Sequence, residues 1–288
     1  MSTLTKIQVA WNLYQEEIPV DQIAIRCEVH RATIYRWIRR FRTCGLRRTL
    51  QLHKQAKTRR RKRLDPIIQK RIYALRVYHR QCCGQKIQRY LEREYGHQVS
   101  LATIYRVLAK KYRLSSKYRA KRAYGKVPKG TKPREVIQAD TVDFGEIYAY
   151  TFVDTYTREA QVVLRPTLRS VDGKRALQIA MRSYKRTEIL QSDGGPEFKE
   201  EFVQEAGRYA KRHRVSRPYK KNEQAFIESF NRSLRKECLG WMKYSNEDME
   251  KLQGTVNEWL RYYHEERLHI GLGYMTPQEH LQNLSHLT

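Results

Sequence analysis

The sequence contains no apolar run approaching the ~18–20 residues needed to cross a bilayer, and no secretory leader is expected at its start. Five cysteines, Cys27, Cys44, Cys82, Cys83 and Cys238, make neither an even-numbered framework nor any metal-ligand spacing. They read as reduced thiols, which excludes a disulfide scaffold and predicts no structural zinc. Acidic residues are scarce in one half. Residues 1–135 hold 8 of the 30 Asp+Glu but 35 of the 58 Lys+Arg, so nearly all of the formal charge of +28 sits there. A general basic surface would spread its charge. This concentration is the footprint of a polyanion binder. The 288 residues suit two or three domains with at least one sizeable core.

What is present in the basic half is helical. Residues 5–15 place Ile7, Ala10, Trp11 and Tyr14 on one stripe. Pro19 and Asp21 open a short second helix with Ile23, Ala24 and Cys27, and Glu28–Val29 make a turn. In residues 30–41, Ile34, Trp37, Ile38 and Phe41 form a buried face, while Arg31, Thr33, Arg36, Arg39 and Arg40 largely face away. A short helix, a tight turn and a helix with an Arg-rich outer face make a helix-turn-helix unit suited to a DNA major groove.

The unit recurs. Ala32–Thr33–Ile34–Tyr35–Arg36 reappears as Ala102–Thr103–Ile104–Tyr105–Arg106, behind helical patterns over 66–78 and 84–95, a turn at Gly96–His97 and an N-cap at Ser100. Thr103, Arg106 and Lys110 are the matching outer-face candidates for DNA. The chain therefore divides into a first helix-turn-helix domain (1–46), a basic linker (47–63), a second such domain (64–112) and another basic linker (113–133). Arg59, Arg60 and Arg61 lie in the first linker; such arms follow phosphates or enter a minor groove.

From residue 134 strands and helices mix. Runs at 136–143, 146–153 and 159–164 read as an antiparallel meander. A helix over 170–185, a strand over 188–192, a helix over 196–213, a short strand over 214–216 and a long helix over 223–238 follow. A further helix spans 246–263. The fold class is multidomain: all-α helix-turn-helix domains, then an α/β core of ribonuclease-H-like order around a mixed five-stranded sheet (134–240), with a helical extension (241–288).

Within that core Asp140 sits in the first strand, Asp193 at the end of the fourth before a Gly194–Gly195–Pro196 turn, and Glu228 on the long helix. Three carboxylates from two strands and a helix suit hard divalent cations. Each has a rival reading. Asp143 lies three positions from Asp140, Asp193 is also a turn-former, and Glu223 and Glu237 flank Glu228. Glu197 is either a first-turn acid or a neighbour of the cluster, and Asp154 is read as fixing a turn with Thr157 and Arg158. Asn231 and Arg232 follow Glu228 and are candidates to hold a phosphate or the carboxylates. Lys220 and Lys221, on the preceding loop, are candidates for DNA ends.

The pieces Gln138–Ala139–Asp140–Thr141, Phe152–Val153–Asp154, Ser192–Asp193–Gly194–Gly195–Pro196–Glu197–Phe198 and Glu228–Ser229–Phe230–Asn231–Arg232 form an ordered set. A tail of His264, Arg267, His269, Leu272, Gly273 and Thr276–Pro277–Gln278–Glu279 completes it. With this set, residues 134–282 resemble the integrase core of DDE transposases, the insertion-sequence enzymes related to retroviral integrases. Two departures stand out: the spacing from Asp193 to Glu228 is one residue shorter than in many members, and Leu268 stands where the tail usually has Pro.

The resemblance implies that Asp140, Asp193 and Glu228 are catalytic and hold two Mg²⁺ ions, with Mn²⁺ as substitute. It implies 3′-end cleavage at terminal inverted repeats and strand transfer into target DNA, by a protein that pairs into dimers or tetramers on double-stranded DNA. The expected location is cytoplasmic, on the nucleoid when DNA-bound, without membrane association. The rival functions are a DNA-binding regulator with an inactive core and a nuclease of the same fold that does not join strands.

Overall fold

The computed structural model of the chain describes residues 1–58, 64–114, 129–217 and 221–285. Arg59, Arg60, Arg61 and Lys220 lie outside the described residues. The chain divides into two compact units, Met1–Asp65 and Pro66–Thr288.

The first unit has three helices, α1 (Thr3–Gln15), α2 (Val20–Cys27) and α3 (Arg31–Thr58). The Ser2 hydroxyl caps α1 by accepting from the Thr5 amide at 3.2 Å. Ile7, Ala10, Ile23, Cys27, Ile34, Trp37, Ile38 and Phe41 meet in one core, with Trp11 and Tyr14 packed at its edge. Beyond Phe41 the helix continues through residues 47–58 of the expected linker (47–63). At Gly45 (φ 70, ψ 173) it kinks, and then it resumes helix to Thr58. Thr49 is fully buried and donates to the Gly45 carbonyl at 2.8 Å, and Leu46 and Leu50 rest on the core. Those apolar anchors are why residues expected to be a free basic arm are helical.

The second unit opens with α4 (Pro66–Tyr78), α5 (Gly84–Tyr95) and α6 (Leu101–Leu108). Gly96, at φ 65, supplies the left-handed turn that ends α5. Ser100 caps α6 by accepting from the Thr103 amide at 3.3 Å, as its position predicts. Five strands follow: β1 (Val136–Asp143), β2 (Tyr148–Asp154), β3 (Ala160–Arg165), β4 (Thr187–Ser192) and β5 (Ala210–Val215). Their order in the sheet is β3-β2-β1-β4-β5. β1–β3 pair antiparallel, and β4 and β5 run parallel to β1, which is the expected mixed sheet.

Alternating side chains of the strands serve two faces. On one, Ile137, Ala139, Tyr150, Phe152 and Leu190 pack on α7 (Ser170–Tyr184) and α8 (Glu201–Tyr209). On the other, Val142, Ala149, Val153, Val162 and Leu164 pack on α9 (Ala225–Leu234) and α10 (Met249–Glu265). α11 (Pro277–Ser285) closes the chain. Its start is a capping box: the Glu279 amide donates to Thr276 Oγ1 at 3.1 Å, and the Thr276 amide donates to Glu279 Oε2 at 2.9 Å.

Two helices are shorter than their sequence pattern. The segment expected as one helix over 196–213 is a 3-10 turn Pro196–Phe198, then α8, then strand β5. β5 lies at the sheet edge, so Lys211 and Arg212 remain in solvent although they stand in a strand. The strand expected over 214–216 is the end of β5, and the charged residues before it have no apolar alternation to reveal its start. The helix expected over 223–238 is α9, flanked by a 3-10 turn before it and a wide helical turn, Arg235–Leu239, after it.

Candidate active site

Asp140 stands on β1, whose neighbours are β2 and β4. Its Oδ1 accepts from the Thr141 amide at 2.9 Å, and its Oδ2 accepts from Asn231 Nδ2 on α9 at 2.7 Å. Asn231, predicted to hold either a phosphate or the carboxylates, therefore holds a carboxylate. Asp193 follows β4 directly, is exposed and accepts from the Gly195 amide at 3.1 Å. It is a turn-former as well as a candidate ligand.

The glycines after Asp193 have steric causes. Gly194 has φ +82, and a Cβ there would lie 2.6 Å from Val215 Cγ1. A Cβ on Gly195 would lie 2.5 Å from Glu197 Oε2, so the Glu197 carboxylate folds over Gly195. Glu197 is buried in the first turn of the 3-10 segment Pro196–Phe198, and its charge also acts on Asp140.

Glu228 stands exposed in the first turn of α9, where the partial positive charge of the helix end favours an acid. Burial pushes the Asp140 carboxyl up to about 7; the Thr141 amide opposes this, and the charges of Asp193, Glu197 and Glu228 push it further. Four carboxylates thus act on one point. Among the described residues no Lys or Arg forms an ion pair with Asp140, Asp193 or Glu228. Among the same residues, no three His, Cys, Asp or Glu stand at metal-holding distance as they are.

The rival acids are accounted for. Asp143 is exposed and accepts from the Gly145 amide at 2.7 Å. The Glu223 carboxylate pairs with Arg214 at 3.1 Å and Arg217 at 2.6 Å. Glu237 makes a two-point pair with Arg267 at 2.7 and 2.8 Å. Asp154 accepts from Thr157 Oγ1 at 2.7 Å and from the Arg134 and Tyr156 amides, the turn-fixing role its sequence predicts. Glu223 and Glu237 are paired with arginines, whereas Asp140, Asp193 and Glu228 form no ion pair among the described residues.

The chemistry of the donor set suits a divalent cation. All the groups are oxygens, hard ligands for Mg²⁺ or Mn²⁺. Asn231 Oδ1, buried beside Asp140, has no partner among the described residues and adds a neutral oxygen. Carboxylates that repel one another draw together when a cation offsets the repulsion.

On the first unit, Arg31, Arg36, Arg39 and Arg40 are exposed along one outer face of α3, with Thr33 half-buried. On α6 and just past it, Arg106 and Lys110 are exposed and Thr103 is half-buried against Ser100. Arg232 is exposed on α9, and Lys221 begins the 3-10 turn before it.

Comparison with known proteins identifies the domains. Residues 130–221 and 209–277 each match the integrase core domain, and residues 1–47 and 33–108 match homeodomain-like domains. The chain is 29% identical over 134 residues to the 31.7 kDa protein of insertion element IS407 from Burkholderia multivorans, covering 45% of this chain and 47% of that protein. It is 28% identical over 141 residues to the 39.2 kDa protein of insertion element IS476 from Xanthomonas euvesicatoria, covering 48% and 40%. The matched region spans under half the length of either relative. Among solved structures, the HTLV-2 integrase catalytic core domain in complex with magnesium is similar at 16% identity and a TM-score of 0.41, over 52% of this chain and 98% of that one. No helix among the described residues is long and apolar enough to cross a membrane. The chain carries homeodomain-like helical domains followed by an integrase core domain, and it is similar to proteins of insertion elements.

Proposed function

We propose that this protein is a DNA transposase: its helical domains bind the terminal inverted repeats of an element, and its core cleaves the 3′ ends and transfers them into target DNA. The observation that carries the reading is the group at Asp140, where Asp193, Glu197 and Glu228 press like charge on one half-buried carboxyl. A DNA-binding module has no use for such a cluster, and its repulsion opposes folding.

Asp140, Asp193 and Glu228 would hold the divalent cations, Mg²⁺ with Mn²⁺ as substitute. When bound, these supply Lewis-acid polarisation of the phosphodiester and a more acidic attacking water. The chain's own residues do the rest. Asn231 orients Asp140 through its Nδ2. Glu197, folded over Gly195, adds negative charge behind the cluster. Arg232, exposed beside Glu228, is placed to bind a phosphate.

Cleavage is an in-line displacement in which water attacks the phosphorus and the 3′ oxygen leaves. Joining repeats it with the freed 3′-OH as attacker and a target 3′ oxygen as leaving group. No serine or tyrosine needs to become covalently attached. The outer faces Arg31–Arg40 and Arg106–Lys110, together with Arg59, Arg60, Arg61, Lys220 and Lys221, follow DNA backbone and groove. Two ends must meet, so the working species is a dimer or tetramer on DNA.

The test is an assay with Mg²⁺, a supercoiled target plasmid and a labelled duplex of the element's own end, comparing wild type with Glu228→Gln and Asp193→Ala. Joined products from wild type alone support the reading. Nicks without joining indicate a nuclease. Binding without any cleavage indicates a regulator.

A further inference from the structure

Three residues in one row across the sheet converge on Glu223. The parallel register sets Gln138 of β1 beside Gln191 of β4, and Gln191 beside Arg214 of β5. Gln138 Nε2 donates to the Glu223 carbonyl at 2.5 Å, and Gln191 Nε2 donates to the same carbonyl at 2.9 Å. Arg214 pairs with the Glu223 carboxylate, which also accepts from the Arg217 amide at 3.0 Å. Gln138 Oε1 then accepts from the Ile227 amide at 3.0 Å. That amide is one of the donors left free at the start of α9, and the next residue along is Glu228. Gln138 is 0%, Gln191 1% and Glu223 2% exposed, so water does not compete for these bonds.

The spacing carries the argument further. Gln138 lies two positions before Asp140 and Gln191 two positions before Asp193. Residues two apart on a strand share a face, so Gln138 reaches α9 from the same side of β1 as Asp140. Ile227, Phe230 and Leu234 already press α9 onto the sheet. Apolar packing is non-directional and leaves sliding and rotation weakly set. One residue of helix is about 1.5 Å of rise and about 100° of rotation, enough to carry Glu228 out of the cluster. Hydrogen bonds to the Glu223 carbonyl and the Ile227 amide have the direction that packing lacks.

We propose that Gln138 and Gln191 are positioning residues: they fix the axial position and rotation of α9 and thereby bring Glu228 to Asp140 and Asp193. This rests on reading those three acids as the catalytic set. Asn231, one turn along on the same face, holds the helix through Asp140. Glu223 is the anchor through which β1, β4 and β5 are tied to one helix end.

The test compares full-length wild type with Gln138→Met and Gln191→Met, which keep side-chain length and remove the polar ends. Amide exchange is followed without metal at Ile227 and Glu228. Mn²⁺ binding is measured by calorimetry, and 3′-end cleavage is measured beside affinity for the end duplex. The expected result for Gln138→Met is faster exchange at Ile227 and Glu228 with β1 and α7 unchanged. Mn²⁺ affinity and cleavage rate should fall by about 10–100-fold, as for groups that orient metal ligands, while end-duplex affinity stays within about twofold. Gln138→Glu keeps an acceptor for the Ile227 amide, so its exchange at Ile227 should return toward wild type.

Unchanged exchange and unchanged Mn²⁺ affinity in a folded Gln138→Met protein would overturn the proposal. If that variant does not fold, Gln191→Met decides, because it leaves both Gln138 bonds in place and should show a smaller shift in the same direction. A wild type that neither binds Mn²⁺ nor cuts DNA sinks the transposase reading, and with it the catalytic purpose of the grip. The exchange data would in that case still report the grip itself.

Discussion

Asn231 Nδ2 donates to Asp140 Oδ2 at 2.7 Å, so the helix that carries Glu228 is fastened to the strand that carries Asp140. The fastening holds a carboxylate in place against repulsion from Asp193, Glu197 and Glu228. In Asp140→Asn the Asn231 amide has only to flip, since its Oδ1 is otherwise unpartnered, and the link survives without the charge.

Asp140→Asn is therefore expected to abolish cleavage and yet stabilise the metal-free protein. The Asp140 carboxyl is raised from 3.8 to about 7 in the folded chain. The folded state binds the proton more tightly than the unfolded one, so wild-type stability falls as pH rises through about 4 to 7. The variant lacks that loss. Its advantage should be near zero at pH 4 and reach on the order of 2–4 kcal/mol at pH 8. Denaturant titrations at a series of pH values measure it, and a variant less stable than wild type at pH 8 contradicts it. Added Mg²⁺ should raise the melting temperature of wild type and leave that of the variant unchanged.

His264 predicts the opposite pH dependence. Its Nε2 accepts from the Ala160 amide at 3.0 Å, and burial pushes its pKa down to about 4. His79, stacked on Tyr90 at 3.6 Å, is likewise lowered by burial to about 4. The unfolded chain binds these protons first, so their contribution is intact above about 6.5 and is lost as pH falls toward 4. Asp140, Glu94 and Glu159 are raised and act in the other direction. The comparison of His264→Gln with wild type isolates one group. The variant should gain on wild type by up to about 3 kcal/mol between pH 6.5 and 4, and parallel stability curves would refute this.

Arg267 and Glu237 are 13% and 10% exposed and pair at two points. Removing one partner leaves a buried charge alone. Arg267→Met should cost about 3–5 kcal/mol, and adding Glu237→Leu should restore much of it. Urea unfolding of the single and double variants measures the difference. Equal stability of both would show that the pair is solvated in solution.

Arg36 and Arg39 are exposed on the outer face of α3 and make no ion pair among the described residues. On the proposed function, Arg36→Ala with Arg39→Ala should leave folding intact and weaken binding to the end duplex. The slope of log affinity against log salt should become shallower by about 1 for each phosphate that the variant no longer neutralises. Fluorescence anisotropy across a salt series reads both effects. An unchanged slope would move the DNA-binding surface away from this face.

Much of the fold was legible because its signals are local. The stripe in α3 and the Ser100 cap are set by residues within a turn or two of each other. The strand β1 was read to the residue from its apolar content. The misreadings share a cause. β5 is a strand because it pairs with β4 at the sheet edge, and Lys211 and Arg212 carry no periodicity that reports this. Residues 47–58 are basic and look like a linker, but Thr49 and Leu50 meet a core assembled from α1 and α2.

The same division runs through the site. The sequence by itself determined the chemistry on offer: a basic amino-terminal half, acids at a strand end and a helix start, and glycines where a backbone must pass close. Only the tertiary structure decided which acids keep an unpaired charge. Glu223 is taken by Arg214 and Arg217, and Glu237 by Arg267, whereas the Glu197 carboxylate lies over Gly195. It also decided that Gln138 and Gln191 stand side by side, because parallel register joins strands that are far apart in the chain. A charged or polar side chain takes its role from its partner. In a sheet the partner is chosen by strand order and register, which no local pattern of residues encodes.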